Sequence, residues 1–240
     1  MSKDNLFRRG GVEADFQFTE QVAEVFDDML ARSVPNYAQV IEMTSQLLAR
    51  FLTRGDRVYD LGCSTGNTLL QLARRLDHLD LHFLGIDSSP AMVHKATIKA
   101  EMYRKKERLT FEVNDITTVA LAPAGAILCN YTLQFIRPIQ RQEFLARVAS
   151  FLRPGGVLIL SEKIISHDPA LNRAWIDFYL DFKRAQGYSE IEIAAKREAL
   201  ENVLIPFSIE ENRKLLADAG FSSVETFFQW FNFVSFVAVK

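Results

Sequence analysis

Cysteine is scarce in this sequence, and neither sign of charge dominates. The two cysteines, Cys63 and Cys129, have no partner at metal-ligand spacing, so we expect reduced, buried thiols and no metal site. The net charge of -2 leaves no basic stripe to neutralise phosphates. Tight binding of nucleic acid or of an anionic membrane is therefore not expected, and small molecules are the expected partners.

Long apolar runs are missing as well. No stretch approaches the ~20 apolar residues that a membrane span needs, and the first residues, MSKDNLFRRGGVEADF, lack the apolar region of a secretory signal. We therefore expect a soluble, cytoplasmic protein. Because 48% of the 240 residues are hydrophobic and no linker or repeat is visible, we expect a single domain over 1–240.

The sequence does contain an alternation of short apolar runs with helical patterns. Strands are predicted at 57–62, 81–87, 109–115, 126–133 and 156–163, and helices at 67–76, 89–104 and 138–152. Such alternation predicts an α/β fold with a doubly wound, mostly parallel seven-stranded sheet. The segment RPGG, residues 153–156, is predicted to stop the preceding helix and form a tight turn.

Other elements flank this alternation. Two helices are predicted within 19–53, and a helical insertion at about 168–204. A further helix at 208–221 opens with a capping pattern, Ser208 followed by Glu211, and closes at Gly220. Two aromatic-rich strands then finish the chain and can pair in antiparallel fashion.

The segment YDLGCSTGNT, residues 59–68, follows the first strand and opens a helix. Glycines at 62 and 66 allow the backbone to turn sharply and to approach a ligand closely. Many strand-to-helix turns need glycine for purely structural reasons, so the loop alone is weak support for a binding site. It lacks the Gly-Lys-Ser/Thr ending of a P-loop and the three glycines of a pyrophosphate loop.

Polar residues at the ends of the next two strands strengthen the case for a ligand. Asp87 ends the second strand, a position from which a carboxylate can bind a ribose diol. Asn114 and Asp115 follow the third strand, beside the expected adenine. Polar residues at three successive strand ends favour an adenosine ligand over three residues that cap their own strands independently. Residues 55–165 and 205–240 resemble the S-adenosylmethionine-binding fold of class I methyltransferases.

A closer resemblance lies partly outside those motifs. The segments at 22–37, 85–92, 130–135, 160–163, 181–203 and 227–233 resemble the carboxy-S-adenosyl-L-methionine synthase family, which serves modification of the tRNA wobble uridine. The resemblance implies conversion of S-adenosyl-L-methionine and prephenate to carboxy-S-adenosyl-L-methionine and phenylpyruvate. It also bears on the segment ILCNYTLQFI, residues 127–136, which has no carboxylate, histidine or lysine. In that family the hydroxyl leaving prephenate is the proposed proton acceptor, so no protein base is required.

The resemblance also implies a set of site residues. Tyr37 would lie at the methionyl end, and Asn130 near the sulfonium. Arg197 would bind the added carboxylate, and these three residues are the expected catalytic ones. The remaining expected contacts are Gly62, Cys63 and Ser64 in the glycine loop, Asp87 and Ser88 at the ribose, and Asp115 and Ile116 around adenine.

Each of these residues also has a purely structural interpretation. Arg197, for example, has Lys196, Glu198 and Glu201 as neighbours and could be a solvated helix residue. The chain also departs from the family pattern, because Asn67, Thr68 and Trp230 replace smaller residues.

Partners and alternatives complete the hypothesis. The resemblance implies a homodimer, and the expected contact is the insertion, whose helical sequence contains Trp175, Phe178, Tyr179 and Phe182. The product would pass to a separate tRNA-modifying transferase. Two other functions stay open: an ordinary S-adenosylmethionine-dependent small-molecule methyltransferase, and a non-catalytic module that binds an adenosine ligand.

Overall fold

The structure, a computed structural model, describes residues 3–8, 15–103 and 107–240. Two helices come first, α1 (Glu20–Ser33) and α2 (Tyr37–Phe51). Thr19 caps α1 by accepting a hydrogen bond from the Val22 N–H. Asn36, in the left-handed region at φ 55°, turns the chain between the two helices.

The centre of the fold is a seven-stranded sheet. Its strands are β1 (Arg57–Leu61), β2 (His82–Asp87), β3 (Leu109–Val113), β4 (Ala124–Asn130), β5 (Leu152–Lys163), β6 (Ser223–Trp230) and β7 (Phe233–Val239). The spatial order is β3-β2-β1-β4-β5-β7-β6; β1 to β5 run parallel, and β7 is antiparallel to β5 and β6.

Helices cover both faces of this sheet. They are α3 (Asn67–Arg75), α4 (Pro90–Met102), α5 (Pro138–Phe151), α6 (Pro169–Ala185), α7 (Glu190–Leu200) and α8 (Ile209–Asp218). One apolar core joins the sheet to α5 and α8, and a second joins it to α2 and α3. Strands that are buried on both faces must be almost wholly apolar, as the segment AGAILCN of β4 is. The predicted fold class is confirmed.

Two predicted boundaries are wrong. The segment RPGG is not a turn between elements, because β5 already begins at Leu152, and the strand absorbs Gly155, at φ 71°, as an irregularity in its pairing with β4. The fourth strand ends at Asn130 rather than at 133, because Tyr131 adopts a left-handed conformation that turns the chain away from the sheet. For the helix predicted over 89–104, the last residue lies outside the described ranges.

The insertion consists of α6 and α7, separated by a turn at Gly187 (φ 81°). Its aromatic residues pack on the hairpin of β6 and β7. The ring centroids of Phe182 and Trp230 are 5.6 Å apart, and those of Phe178 and Phe231 are 4.3 Å apart. These contacts lie within one chain, so the aromatic content of α6 does not by itself indicate a dimer contact. They also give Trp230 a packing role.

The strand order brings the carboxyl ends of several strands together. It reverses between β1 and β4, and the carboxyl ends of β1, β2 and β4 therefore open onto a crevice beside the glycine loop. Such a switch point is where open α/β sheets bind ligands. Within the described ranges, none of the helices combines the length and the apolar character that crossing a bilayer requires.

Candidate functional site

A cavity of about 700 Å³ lies at this edge of the sheet, between the strand ends and helices α1, α6 and α7. Its volume suits a ligand of nucleoside size, since small-molecule sites typically measure roughly 300 to 1,000 Å³. Every site residue predicted from the sequence lines it: Tyr37, Gly62, Cys63, Ser64, Asp87, Ser88, Asp115, Ile116, Asn130 and Arg197. The structure thus brings together residues that span 160 positions of the chain, between 37 and 197.

The glycine loop has a fixed conformation. Gly62 has φ 82°, and a Cβ at this position would collide with the Thr132 side chain, so only glycine is tolerated. Ser64 is also left-handed, at φ 48°, and its N–H donates to Asp87 Oδ2 at 2.8 Å. Asp87 Oδ1 accepts from the Ser89 N–H at 2.9 Å. Each oxygen keeps a lone pair with which it can accept a hydrogen bond from a ribose hydroxyl.

A second tie fixes the loop to the N-terminal helix. Thr65 Oγ1 donates to Asp27 Oδ1 at 2.6 Å, and Lys99 Nζ donates to the other oxygen of Asp27. Lys99 also donates to the Thr65 carbonyl at 3.2 Å. Helix α1 is therefore held over the loop by one shared carboxylate. This contact could not be predicted from the sequence, because nothing local in the sequence links residues 27, 65 and 99.

Asp60 is a further cavity residue that the sequence analysis missed. It lies on β1 just before the glycine loop, and its carboxylate has no hydrogen-bond partner among the described residues. Burial raises its pKa to about 7, and the neighbouring Asp87 carboxylate adds to the rise. A buried carboxylate of this kind is a candidate partner for a ligand ammonium. Its place at the end of the strand before the loop is the signal that could have identified it.

The larger residues at 67 and 68 have a local function. Tyr37 Oη lies 3.1 Å from Thr68 Oγ1, and the Asn67 side chain, which also lines the cavity, lies close enough to Tyr37 to oppose the rise in its pKa. Burial raises the pKa of Tyr37 to about 12, so the group stays a neutral donor. The contact with Thr68 thus helps to position Tyr37 at the cavity wall.

Two buried polar atoms at the end of β4 have no partner among the described residues. They are Asn130 Oδ1 and Tyr131 Oη, and both residues line the cavity. Buried polar groups are almost always hydrogen-bonded, so two unpartnered atoms on residues that line a cavity are candidates for contact with a ligand. Tyr131 adopts its unfavourable φ of 58° while its N–H donates to the Ser161 carbonyl at 2.6 Å. Burial raises the pKa of Tyr131, which keeps its hydroxyl as a donor.

A carboxylate from the neighbouring strand supports the segment 131–135. Glu162 Oε1 accepts from the Leu133 N–H at 3.1 Å, and burial raises the pKa of Glu162 to about 8, although the Arg141 guanidinium and backbone N–H groups oppose the rise. Glu162 does not line the cavity. Its role is to hold the loop that carries Tyr131.

The insertion supplies a positively charged wall. Residues at helical spacing on α6 and α7 face the cavity: Ile176, Tyr179, Leu180 and Lys183, then Ile193, Lys196, Arg197 and Leu200. Burial lowers the pKa of Lys183 to about 7 and those of Lys163, on β5, and Lys196 to about 8. These lysines were not among the predicted site residues, although positions 183 and 196 belong to the inward-facing stripes of their helices.

The thiols do not contribute a nucleophile. Cys63 and Cys129 are free and buried, and burial raises the pKa of each well above its usual value. Across 3–8, 15–103 and 107–240, no group of histidine, cysteine and carboxylate side chains could hold a metal ion.

Comparisons with known proteins agree with this geometry. Residues 58–156 match the family model described as a methyltransferase domain. An S-adenosyl-L-methionine-dependent methyltransferase from Methanococcus maripaludis has the same fold, with a TM-score of 0.65 and 18% identity over 96% of this chain and 97% of its own.

Similarity to two relatives extends over almost the whole chain. The carboxy-S-adenosyl-L-methionine synthase of Desulfotalea psychrophila is 56% identical over 99% of this chain and 97% of its own length. The enzyme of the same name from Nitratiruptor sp. is 45% identical over 100% of this chain and 99% of its own. At these identities and coverages, the chain belongs to the carboxy-S-adenosyl-L-methionine synthase family.

Proposed function

We propose that this protein converts S-adenosyl-L-methionine and prephenate to carboxy-S-adenosyl-L-methionine and phenylpyruvate. The observation that carries the proposal is that Arg197 lines the same cavity as Ser64, Asp87 and Asp115, the residues expected to contact the nucleoside. A methyl transfer has no need of a guanidinium there. A reaction that leaves a new carboxylate on the methyl carbon does need one, because arginine pairs with carboxylates through two parallel hydrogen bonds.

The nucleoside half of the ligand would occupy the strand ends. Asp87 and Ser88 would bind the ribose hydroxyls, and the backbone of Gly62, Cys63 and Ser64 would approach the ligand where side chains would collide. Asp115 and Ile116 would flank adenine. Asp115 Oδ1 already accepts from the Thr117 N–H at 2.8 Å, so its loop is ordered before a ligand binds.

The reactive half would lie between Tyr37 and Arg197. Asp60 would pair with the methionyl ammonium, and Tyr37 would donate to the methionyl carboxylate. Asn130 Oδ1, which lacks a partner among the described residues, would face the positive sulfonium. The Tyr131 hydroxyl, equally without a partner there, would donate to the carboxylate as it forms. These groups orient and stabilise charge, and such effects supply much of the rate enhancement of enzymes.

The proposed chemistry balances without a base from the protein. The ring of prephenate becomes aromatic by losing its carboxyl group and its hydroxyl. The departing hydroxide takes a proton from the sulfonium methyl, and the methyl carbon then bonds to the released carboxyl carbon. Carboxy-S-adenosyl-L-methionine, phenylpyruvate and water are the products.

The proposal also covers the oligomeric state of the protein and the use of its product. The product would pass to a separate tRNA-modifying transferase, and the protein would work in the cytoplasm as a single-domain homodimer. The net charge of -2 supports the division of labour, because the chain offers no basic stripe for tRNA. A monomeric mass in solution at micromolar concentration would contradict the dimer.

An isotope experiment tests the reaction. The purified protein is incubated with S-adenosyl-L-methionine and with prephenate labelled with ¹³C in its ring carboxyl group. We expect the label in a product that is heavier than S-adenosyl-L-methionine by one labelled carbon dioxide. Formation of S-adenosylhomocysteine without label transfer would favour the ordinary methyltransferase instead. Recovery of both substrates unchanged would favour the binding module.

A further inference from the structure

Two lysines that line the cavity, one buried and one half-buried, have no ion-pair partner among the described residues. Lys183 lies on α6 and exposes 5% of its surface; Lys163 lies at the end of β5 and is half-buried. Neither ammonium group takes part in a hydrogen bond or ion pair with the part of the chain that the structure describes. Arg137 and Arg197 also line the cavity, but both are exposed to solvent.

The neighbouring buried cations, in contrast, are neutralised. Arg32 Nη1 lies 3.3 Å from Asp28 Oδ2. Lys196 Nζ lies 3.8 Å from Asp4 Oδ2 and donates to Ser33 Oγ at 3.0 Å. Among the residues that the structure describes, carboxylates thus pair with one group of buried cations, and none forms an ion pair with the two lysines. A buried charge without a partner costs free energy, and such groups concentrate at functional sites.

The two lysines converge on one aromatic ring. Each Nζ lies 4.8 Å from the ring centroid of Tyr179. The ring is held in place, because its hydroxyl donates to the Ser33 carbonyl at 3.0 Å and it packs at a tilt of 56° against Phe233, with centroids 5.1 Å apart. A cation over a ring gains some stabilisation, but each ammonium group keeps its three N–H donors for an anion.

We propose that Lys163 and Lys183 bind the carboxylate of the 2-oxo acid side chain that prephenate and phenylpyruvate share. This inference rests on the proposed function, which assigns Arg197 to the carboxylate that moves to the methyl carbon. The second carboxylate of prephenate then needs cations of its own, and the lysine pair beside Tyr179 supplies them. Apolar side chains around the pair, Ile176 and Leu180 on α6, suit the six-membered ring.

Substitution of each lysine by methionine tests the site. Lys163→Met and Lys183→Met remove the charge but keep the length of the side chain, and Lys214→Met on α8 is the matched control, because Lys214 is exposed and pairs with Asp218. The affinity for phenylpyruvate is measured by calorimetry on protein saturated with S-adenosyl-L-methionine. We expect the Kd for phenylpyruvate to rise at least ~10-fold in both cavity variants and to stay unchanged in the control.

A structural role would give a different result. If the lysines serve the ligand, their removal should leave the Kd for S-adenosyl-L-methionine within about 2-fold and should keep or raise the unfolding temperature, because an unpaired buried charge disappears. Lys183→Arg should retain phenylpyruvate binding within about 10-fold, since the charge remains. Unchanged phenylpyruvate affinity, or a parallel loss of S-adenosyl-L-methionine binding with a lower unfolding temperature, would overturn the proposal.

The binding experiment is independent of turnover. If the wild-type protein transfers no labelled carboxyl group but binds phenylpyruvate through both lysines, the proposed reaction is wrong and the carboxylate site stands. If the label is transferred while both lysine variants keep the wild-type KM for prephenate, the reaction stands and the site is wrong.

Discussion

Asp27 on helix α1 accepts a hydrogen bond of 2.6 Å from the Thr65 hydroxyl in the glycine loop. The partners are 38 residues apart in sequence, and Lys99 completes the contact from α4. The N-terminal helices are thus part of the ligand site, because the loop that would approach the nucleoside is held from above by α1. The tie leads to the first prediction.

Replacing Asp27 by alanine should loosen the loop and destabilise the protein. The change leaves the largely buried Lys99 ammonium without its ion-pair partner, which typically costs ~2 to 3 kcal/mol of folding free energy. We also expect at least ~10-fold weaker binding of S-adenosyl-L-methionine, measured by calorimetry. Glu24→Ala is the control, since Glu24 lies on α1 as Asp27 does and forms an exposed ion pair with Lys95 of α4. Equal effects of the two variants would contradict the tie.

Arg197→Ala should separate substrate from product. S-adenosyl-L-methionine lacks the added carboxylate, so its affinity should stay within a few-fold of wild type. The binding of carboxy-S-adenosyl-L-methionine should weaken by at least ~1.4 kcal/mol, a factor of ten in Kd, because its added carboxylate loses the guanidinium. The expected loss is modest because Arg197 is exposed and solvent partly screens the ion pair. Calorimetry with both ligands measures the difference, and Arg173→Ala, an exposed arginine of α6, is the control. Equal weakening of both ligands would indicate a general defect.

Binding of phenylpyruvate should weaken as the pH rises. The lysines bind a carboxylate only when protonated, and in the free protein the pKa of Lys183 is lowered to about 7 and that of Lys163 to about 8. Burial is the main cause; Lys196 lowers the pKa of Lys183 further while Asp4 opposes the shift, and Arg197 lowers the pKa of Lys163. Affinity should be full only below about pH 6, where both lysines are protonated, and should fall by at least ~10-fold by pH 9, with proton uptake on binding. A flat profile in calorimetry would contradict the lysine site.

Glu162→Gln should stabilise the protein more at high pH than at low pH. The folded-state pKa of Glu162 is raised to about 8 from 4.5. Its protonated form therefore adds to the free energy of unfolding in full below pH 4.5, and this contribution is lost as the pH rises through 8. Glutamine keeps an acceptor for the Leu133 N–H and cannot ionise. Denaturant unfolding measures the free energy of unfolding of both proteins at pH 5 and pH 8. The difference in favour of the variant should be larger at pH 8 than at pH 5, by an amount on the order of 1 to 3 kcal/mol. Glu143→Gln on α5 is the control, and an equal gain at both pH values would refute the expectation.

Transfer RNA should not bind tightly. A chain of net charge -2 without a basic stripe releases few counterions from phosphates, and non-specific complexes already have Kd values of roughly 1 to 100 µM. Fluorescence anisotropy with labelled tRNA at physiological salt should therefore give a Kd above ~10 µM. Submicromolar binding would show that the protein itself engages RNA.

The local patterns of this sequence were sufficient for the fold. Strand and helix periods, the glycine loop and the capping pair Ser208 and Glu211 depend on neighbours in the chain, and the structure has each of them. The ends of β4 and β5 were predicted less well. At Tyr131 a left-handed turn is imposed by contacts to another strand, and propensity favours the opposite.

The residues expected to contact the ligand were identified from the family resemblance. The order of the parallel strands brings most of them to one cavity, and helices α2 and α7 bring Tyr37 and Arg197 to it. What the sequence could not give are the charges that face one another across distant elements. Asp27, Lys163 and Lys183 are ordinary charged residues in their own segments. Their partners, or the lack of them, appear only when α1, α6 and β5 meet around the cavity. Burial and pairing are properties of the folded chain, because the free energy of a charge depends on its surroundings and not on its neighbours in sequence.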